Sequence, residues 1–238
     1  MNISVKTKNI IFLVIRLTLI FSIITNILIA IYKIFNGGDF LYEITQRGEL
    51  IFLAIITLVL SFSPSYVEKK NNLQIPEIFE IIIVLFIYAS IFLSALLNLY
   101  YRFFWWDDLL HVLSGVIMGF IGFIAIYKIN YKYGTNISPA LVMLFSFCFA
   151  ITLGVFWEIF EFSSDVFFGT AHQKWNLPST EIMIGKPYQG SGLRDTMSDL
   201  IVDSIGAFIT SLITYFAYKN TAQKERVLKT VQKIIKNN

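Results

Sequence analysis

Apolar residues along this chain fall in long unbroken blocks, and six of them stand out, at about 10–32, 49–65, 76–100, 106–128, 138–161 and 197–218. A bilayer-spanning helix needs roughly 20 consecutive apolar residues. The pattern therefore predicts an all-α, polytopic transmembrane helix bundle of about six spans. The second block is the shortest, and a differently tilted or re-entrant segment is its alternative. Beyond the sixth block the pattern changes. Val227, Leu228, Val231, Ile234 and Ile235 recur at helical spacing, with Lys224, Arg226, Lys229, Lys233 and Lys236 between them. Residues 219–238 read as a basic amphipathic helix that follows a transmembrane domain of residues 1–218. Such a tail suits either an anionic inner leaflet or a cytoplasmic oligomer contact.

Composition supports a membrane solvent: 56% of residues are hydrophobic and 16% aromatic, and mean hydropathy is +0.67, too apolar for an ordinary soluble domain. The net charge of +3 says less than its distribution. Twelve of the 19 Lys and Arg residues fall in segments on the side of the N-terminus and six on the other. The positive-inside tendency then puts both termini in the cytoplasm of a cell with the protein in its plasma (inner) membrane. The first block lacks a small-residue cleavage pattern and reads as a retained helix. Arg16, inside that block, is placed to snorkel toward the interface. Cys148 is the only cysteine, which rules out an intrachain disulfide and a thiolate metal cluster, and it reads as a packing residue.

Against this background ten ionisable residues are out of place. Asp107, Asp108 and His111 open the fourth block; Glu158, Glu161 and Asp165 close the fifth; Asp195, Asp199 and Asp203 open the sixth; His172 lies in the loop between the last two. Ionisable groups at membrane depth are expensive and mark functional sites. With both termini inside, all three helix ends lie at the external leaflet, so the clusters converge. At about 100° per residue, Asp195, Asp199 and Asp203 lie within about 80°, Asp107, Asp108 and His111 within about 100°, and Glu158 and Glu161 about 60° apart. Carboxylate stripes on two helices with a histidine on a third suit a divalent metal (Zn, Mn or Mg) held by Asp107, Asp108, His111, Glu158, Glu161, Asp195, Asp199 and Asp203. Gly115, Gly119, Gly154 and Gly206 on the same helices permit close packing. The external loop, about 162–196, ends in Gly190, Ser191, Gly192 and Arg194, an arrangement able to receive a phosphate at a helix start.

Simpler roles compete. Asp107 or Asp108, and Asp195 with Thr196, could be helix caps. Glu158 and Glu161, at the C-terminal end of the fifth block, oppose the helix dipole and need a cation, a metal or protonation. His111 could be a neutral core histidine and His172 a surface residue. Glu77 and Glu80 complement the dipole of the third helix, and Trp105, Trp106 and Trp157 fit an interfacial aromatic belt.

The run Trp106-Asp107-Asp108-Leu109-Leu110-His111 with Gly115, then Trp157-Glu158, Phe168-Gly169-Thr170, and Asp195-Thr196 with Asp199 ahead of Gly206-Ala207, resembles the YjdF-type family of uncharacterised bacterial inner-membrane proteins. The likeness covers about residues 75–215 and extends, more distantly, to VanZ-like proteins. It implies a fold and a site location rather than a chemistry. The chain departs from that pattern between Ala171 and Leu193, which is longer here and carries His172 and Lys174.

Three functions fit these residues. The first is a metal-dependent membrane hydrolase or lipid-modifying enzyme at the external leaflet, acting on a lipid or cell-envelope substrate. Its catalytic residues would be Glu158, Asp199 and His111, with Arg194 and Arg102 binding substrate. The second is an ion- or proton-coupled transporter using the same carboxylates, although they cluster at one face and the halves show no inverted repeat. The third is a lipid- or antibiotic-binding protein without turnover. Membrane lipid is the expected partner and nucleic acid is not; oligomeric state is open.

Overall fold

The computed structural model describes residues 4–71, 75–103, 105–135, 137–168, 171–175 and 191–220. Among them are nine α-helices and no strand. The basic tail beyond residue 220, the Phe168-Gly169-Thr170 motif beyond its first residue, and residues 176–190 of the loop before the sixth span lie outside the described residues. Six helical segments are long and apolar enough to cross a membrane: Val5–Phe35, Phe40–Lys70, Glu77–Leu97, Trp106–Asn130, Pro139–Phe167 and Ser191–Lys219. The protein is thus an all-α, six-span membrane bundle, and the short second block is part of a full-length span. Large apolar side chains such as Phe21, Phe52, Phe156, Phe160 and Ile213 are exposed on the helix surfaces, the reverse of a soluble protein and what a lipid solvent permits. Cys148 shares that outer surface, so it does not pack in the interior.

The chain divides near residue 104 into two compact units. In the first, α1 (Val5–Phe35) starts at Ser4, whose Oγ accepts from the Thr7 backbone N–H at 3.1 Å. α2 (Phe40–Leu60) starts at Asp39, which accepts from the Tyr42 N–H at 2.8 Å. Such caps satisfy N–H groups that the first turn leaves free. α3 (Ser63–Asn71) and α4 (Glu77–Ile87) follow. The latter passes through a π-helical stretch, Tyr88–Leu93, into α5 (Ser94–Leu97) and, after left-handed Asn98, α6 (Leu99–Arg102). Phe12, Ile15, Leu19, Ala54, Ile81, Val84 and Phe92 form the core. Arg16 does not simply snorkel. Its Nη2 donates to the Ser61 carbonyl at 3.0 Å, Nε donates to Ser61 Oγ at 3.2 Å, and the guanidinium lies 3.8 Å from the Phe62 ring centroid. A cation thereby closes the C-terminal end of α2, where free carbonyls gather. Glu80 is fully buried and pairs with Lys8, so it does more than offset a dipole.

The second unit is a three-helix assembly of α7 (Trp106–Tyr133), α8 (Pro139–Phe168) and α9 (Ser191–Lys219), each packed on the other two. In lipid the hydrophobic effect does not drive helices together, so close packing and interhelical hydrogen bonds must. A Cβ on Gly115 would collide with the Asp203 carbonyl oxygen, and one on Gly206 with the carbonyl oxygen of Val112. The backbones of α7 and α9 therefore meet directly. Ser146, Thr210, Ser211 and Thr214 are buried, and far from the acidic end Asn130 Nδ2 donates to the Tyr218 hydroxyl at 2.9 Å.

Because backbone cannot yield as a side chain can, Gly115→Ala and Gly206→Ala should each cost about 1–3 kcal/mol. Gly48→Ala, in α2 with nothing within 4 Å of the added carbon, should be neutral or stabilising by about 0.5–1 kcal/mol. Thermal unfolding in detergent measures all three, and equal effects would contradict the close approach of α7 and α9.

Candidate metal centre

The three helices bring their acidic ends together because α7 and α9 begin, and α8 ends, at the same end of the unit. The observed boundaries remove several simpler roles. The residue that caps α7 is Trp105, so Asp107 and Asp108 lie inside the first turn, where their charge suits the dipole but they are not caps. α9 already runs from Ser191, so Asp195 and Thr196 lie in its second turn rather than at its cap. α8 continues to Phe168, more than two turns beyond Glu158, so the C-terminal dipole argument does not apply to Glu158. What remains is burial.

His111 is the hub. Its Nδ1 lies 3.4 Å from Asp203 Oδ2, and Asp203 Oδ1 accepts from the Ser114 hydroxyl. With Nδ1 turned to Asp203, Nε2 faces the other way. There it meets Asp107 Oδ1 at 3.7 Å, Asp199 Oδ2 at 3.9 Å and Glu158 Oε1 at 4.0 Å. These separations are too long for hydrogen bonds. Glu158 is 4% and Asp199 2% exposed, and Glu158 Oε1, Glu158 Oε2 and Asp199 Oδ2 have no hydrogen-bond partner. Orphaned buried carboxylate oxygens around an imidazole nitrogen are strongly destabilising by themselves.

A shared cation would resolve the arrangement. Two metal–ligand bonds of about 2.0–2.2 Å at a tetrahedral angle place donor atoms roughly 3.3–3.6 Å apart, so a bound ion would draw the carboxylates slightly closer to Nε2. Asp107, His111 and Asp199 offer donor atoms within 4.8 Å of one another, on α7 and α9, and Glu158 Oε1, from α8, lies 4.0 Å from His111 Nε2. Asp203 occupies the place of the carboxylate that orients a metal-bound histidine through its other nitrogen. Gly154 makes room for it: a Cβ there would sit 2.6 Å from Asp203 Oδ2.

The remaining residues surround this core. Lys174 Nζ donates to Asp107 Oδ2 and Asp195 Oδ1, each at 2.5 Å. Burial alone would lower the Lys174 pKa, but the charges of Asp107 and Asp195 outweigh it and hold the ammonium above its ordinary value. Segment 171–175 is tied down around it. Asp165 accepts from the backbone N–H groups of His172 (2.8 Å) and Gln173 (3.0 Å), and Gln173 Nε2 donates to Thr196 Oγ1 at 2.6 Å. Gly192 gives close approach to Trp175, with a Cβ there only 3.1 Å from the tryptophan Cβ. That packing gives Gly192 a structural role within the first turn of α9; Gly190 lies outside the described residues. Asp108 accepts from Ser198 Oγ at 3.3 Å, and Glu161 from Trp157 Nε1 at 2.8 Å. Arg194 is half-buried in the first turns of α9 and, among the described residues, forms no ion pair. Arg102 ends α6 in the first unit and is exposed.

Sequence reasoning missed Ser114 and Lys174. Ser114 had a usable signal, lying three residues after His111 on the face that carries the donors. Lys174 had none, because a loop residue carries no periodicity.

No solved structure matches this chain. An uncharacterized protein of Thermotoga maritima (strain ATCC 43589 / DSM 3109 / JCM 10099 / NBRC 100826 / MSB8) is 28% identical over 154 residues, covering 65% of this chain and 70% of that protein. The finer likeness to YjdF-type and VanZ-like proteins rests on the motifs alone. A family model described as "Predicted membrane protein (DUF2238)" matches residues 12–220, nearly the whole of the membrane-spanning chain, and the protein belongs to that family.

Proposed function

We propose that this protein is a metal-dependent integral-membrane enzyme acting on a lipid or cell-envelope substrate at the external leaflet. One observation carries the reading: three carboxylates face His111 Nε2 at 3.7–4.0 Å, and both oxygens of Glu158 and Asp199 Oδ2 lack hydrogen bonds. His111 Nε2, Asp107, Asp199 and Glu158 would hold the ion. A divalent cation there would polarise a phosphoryl or acyl oxygen and lower the pKa of bound water. Asp203, supported by Ser114, keeps the His111 ring in one orientation and one tautomer. Glu158, whose Oε2 has no hydrogen-bond partner, would serve as the proton acceptor. Arg194 would receive an anionic headgroup; Arg102, in the other unit, is the less supported of the two arginines. A lipid is the natural substrate class, because the site lies among membrane-spanning helices whose outer faces are apolar.

Elemental mass spectrometry of protein purified in detergent without chelators should find about one divalent ion per chain, lost in His111→Ala and Asp199→Asn. Metal-supported hydrolysis of a phospholipid or lipid-linked phosphate should disappear with it. Correctly folded wild type without metal would defeat this reading and favour ion or proton coupling by the carboxylates. Metal with bound but unprocessed lipid would point to a binding protein instead.

A stability signature should accompany the metal. In chelated protein, Glu158→Gln should raise stability by about 1–3 kcal/mol, because it removes a buried charge with no partner. Added metal should raise the unfolding temperature of wild type more than that of the variant, as a ligand specific to the native state must. A variant less stable than apo wild type, with no metal response in either, would contradict the assignment of Glu158.

A further inference from the structure

The Lys174 ammonium sits where a second ion of a two-cation carboxylate centre belongs. Asp107 is the shared ligand: Oδ1 faces His111 Nε2 while Oδ2 accepts from Lys174 Nζ. In two-metal sites the ions stand about 3.5–4 Å apart, close enough for one carboxylate to serve both. Asp195 supplies the other contact to Nζ through Oδ1, and its Oδ2 is buried without a hydrogen bond. Glu158, 4% exposed, has two oxygens without partners, one more than its contact with the first ion uses. Five carboxylates (Asp107, Glu158, Asp195, Asp199 and Asp203) share the cluster with one ammonium, so a single divalent ion leaves an excess of negative charge. Lys174 is also held deliberately. It is a non-glycine residue at φ 47°, a conformation that persists only where its surroundings impose it, and the flanking contacts of Gln173 and Trp175 do so.

We propose that Lys174 is a built-in second cation, so that one divalent ion and one lysine together do what two metal ions do in a dinuclear carboxylate centre. The proposal rests on the metal reading above. It assigns Lys174 as a positioning residue that holds Asp107 to single-oxygen ligation and keeps the centre mononuclear. Without its ammonium, Asp107 Oδ2 and Asp195 Oδ1 would join the already unpartnered Asp195 Oδ2 and Glu158 Oε2 as ligands for a second ion.

The test is the Mn²⁺ content of full-length protein, chelator-stripped, re-equilibrated with Mn²⁺ and counted by elemental mass spectrometry, with electron paramagnetic resonance as second readout. Wild type and Lys174→Arg should each bind one ion per chain. Lys174→Met or Lys174→Gln, whichever elutes from size exclusion as wild type does, should bind two. The spectrum should then change from that of isolated Mn²⁺ to that of an exchange-coupled pair, a change that loss of a merely structural ion pair would not produce. Adding Asp195→Asn to the Met variant should return the count to one. A Met or Gln variant that still binds one ion, or a wild type that binds two, would overturn this inference while leaving the metal centre in place. No Mn²⁺ in any variant would overturn both.

Discussion

The second unit depends on one electrostatic constraint: an imidazole whose two nitrogens both face carboxylates, in a protein interior surrounded by lipid. Asp203 faces Nδ1 of His111, and Nε2 is turned on Asp107, Asp199 and Glu158. In water such a grouping would cost little. Here His111, Glu158, Asp199 and Asp203 are buried, Coulomb energies are several times larger than in bulk solvent, and both oxygens of Glu158 and Asp199 Oδ2 have no hydrogen bonds to offset their desolvation. Positive charge placed among these groups offsets that cost. Lys174 supplies one such charge on the Asp107–Asp195 side, and the proposed metal ion supplies the other at Nε2.

Packing and chemistry use the same residues. Gly115 and Gly206 let α7 and α9 meet backbone to backbone at the level of Asp203, and Gly154 leaves space on α8 for the Asp203 carboxylate. Any side chain at these positions would move the residue that orients His111. The small residues are therefore second-tier parts of the site, set by the distance that the histidine and its carboxylate need.

Much of this was legible in the chain. Long apolar blocks announce spans because a bilayer demands a minimum length, and acidic residues inside such blocks are conspicuous against their surroundings. Helical spacing alone placed Asp199 and Asp203 on one face with Asp195. Helix ends were less legible, since hydropathy marks where lipid contact stops and not where hydrogen bonding stops. α8 runs on from residue 161 to Phe168 and α9 starts at Ser191 rather than 197, which changed Glu158 from a terminal residue to an interior one. Asp108 and Glu161 share stripes with the donors but bond to Ser198 and Trp157, because position on a face does not specify rotamer or partner. Arg16 was read by depth alone, whereas the open end of α2 decides its place.

X-ray absorption at the metal edge, on protein purified without chelators, tests the central claim most directly. The expected spectrum shows a shell of oxygens with one imidazole nitrogen at about 2.0–2.2 Å, and loss of the imidazole scattering in His111→Ala. Sulfur ligation, several imidazoles, or no bound metal in native protein would contradict a centre built from His111, Asp107, Asp199 and Glu158.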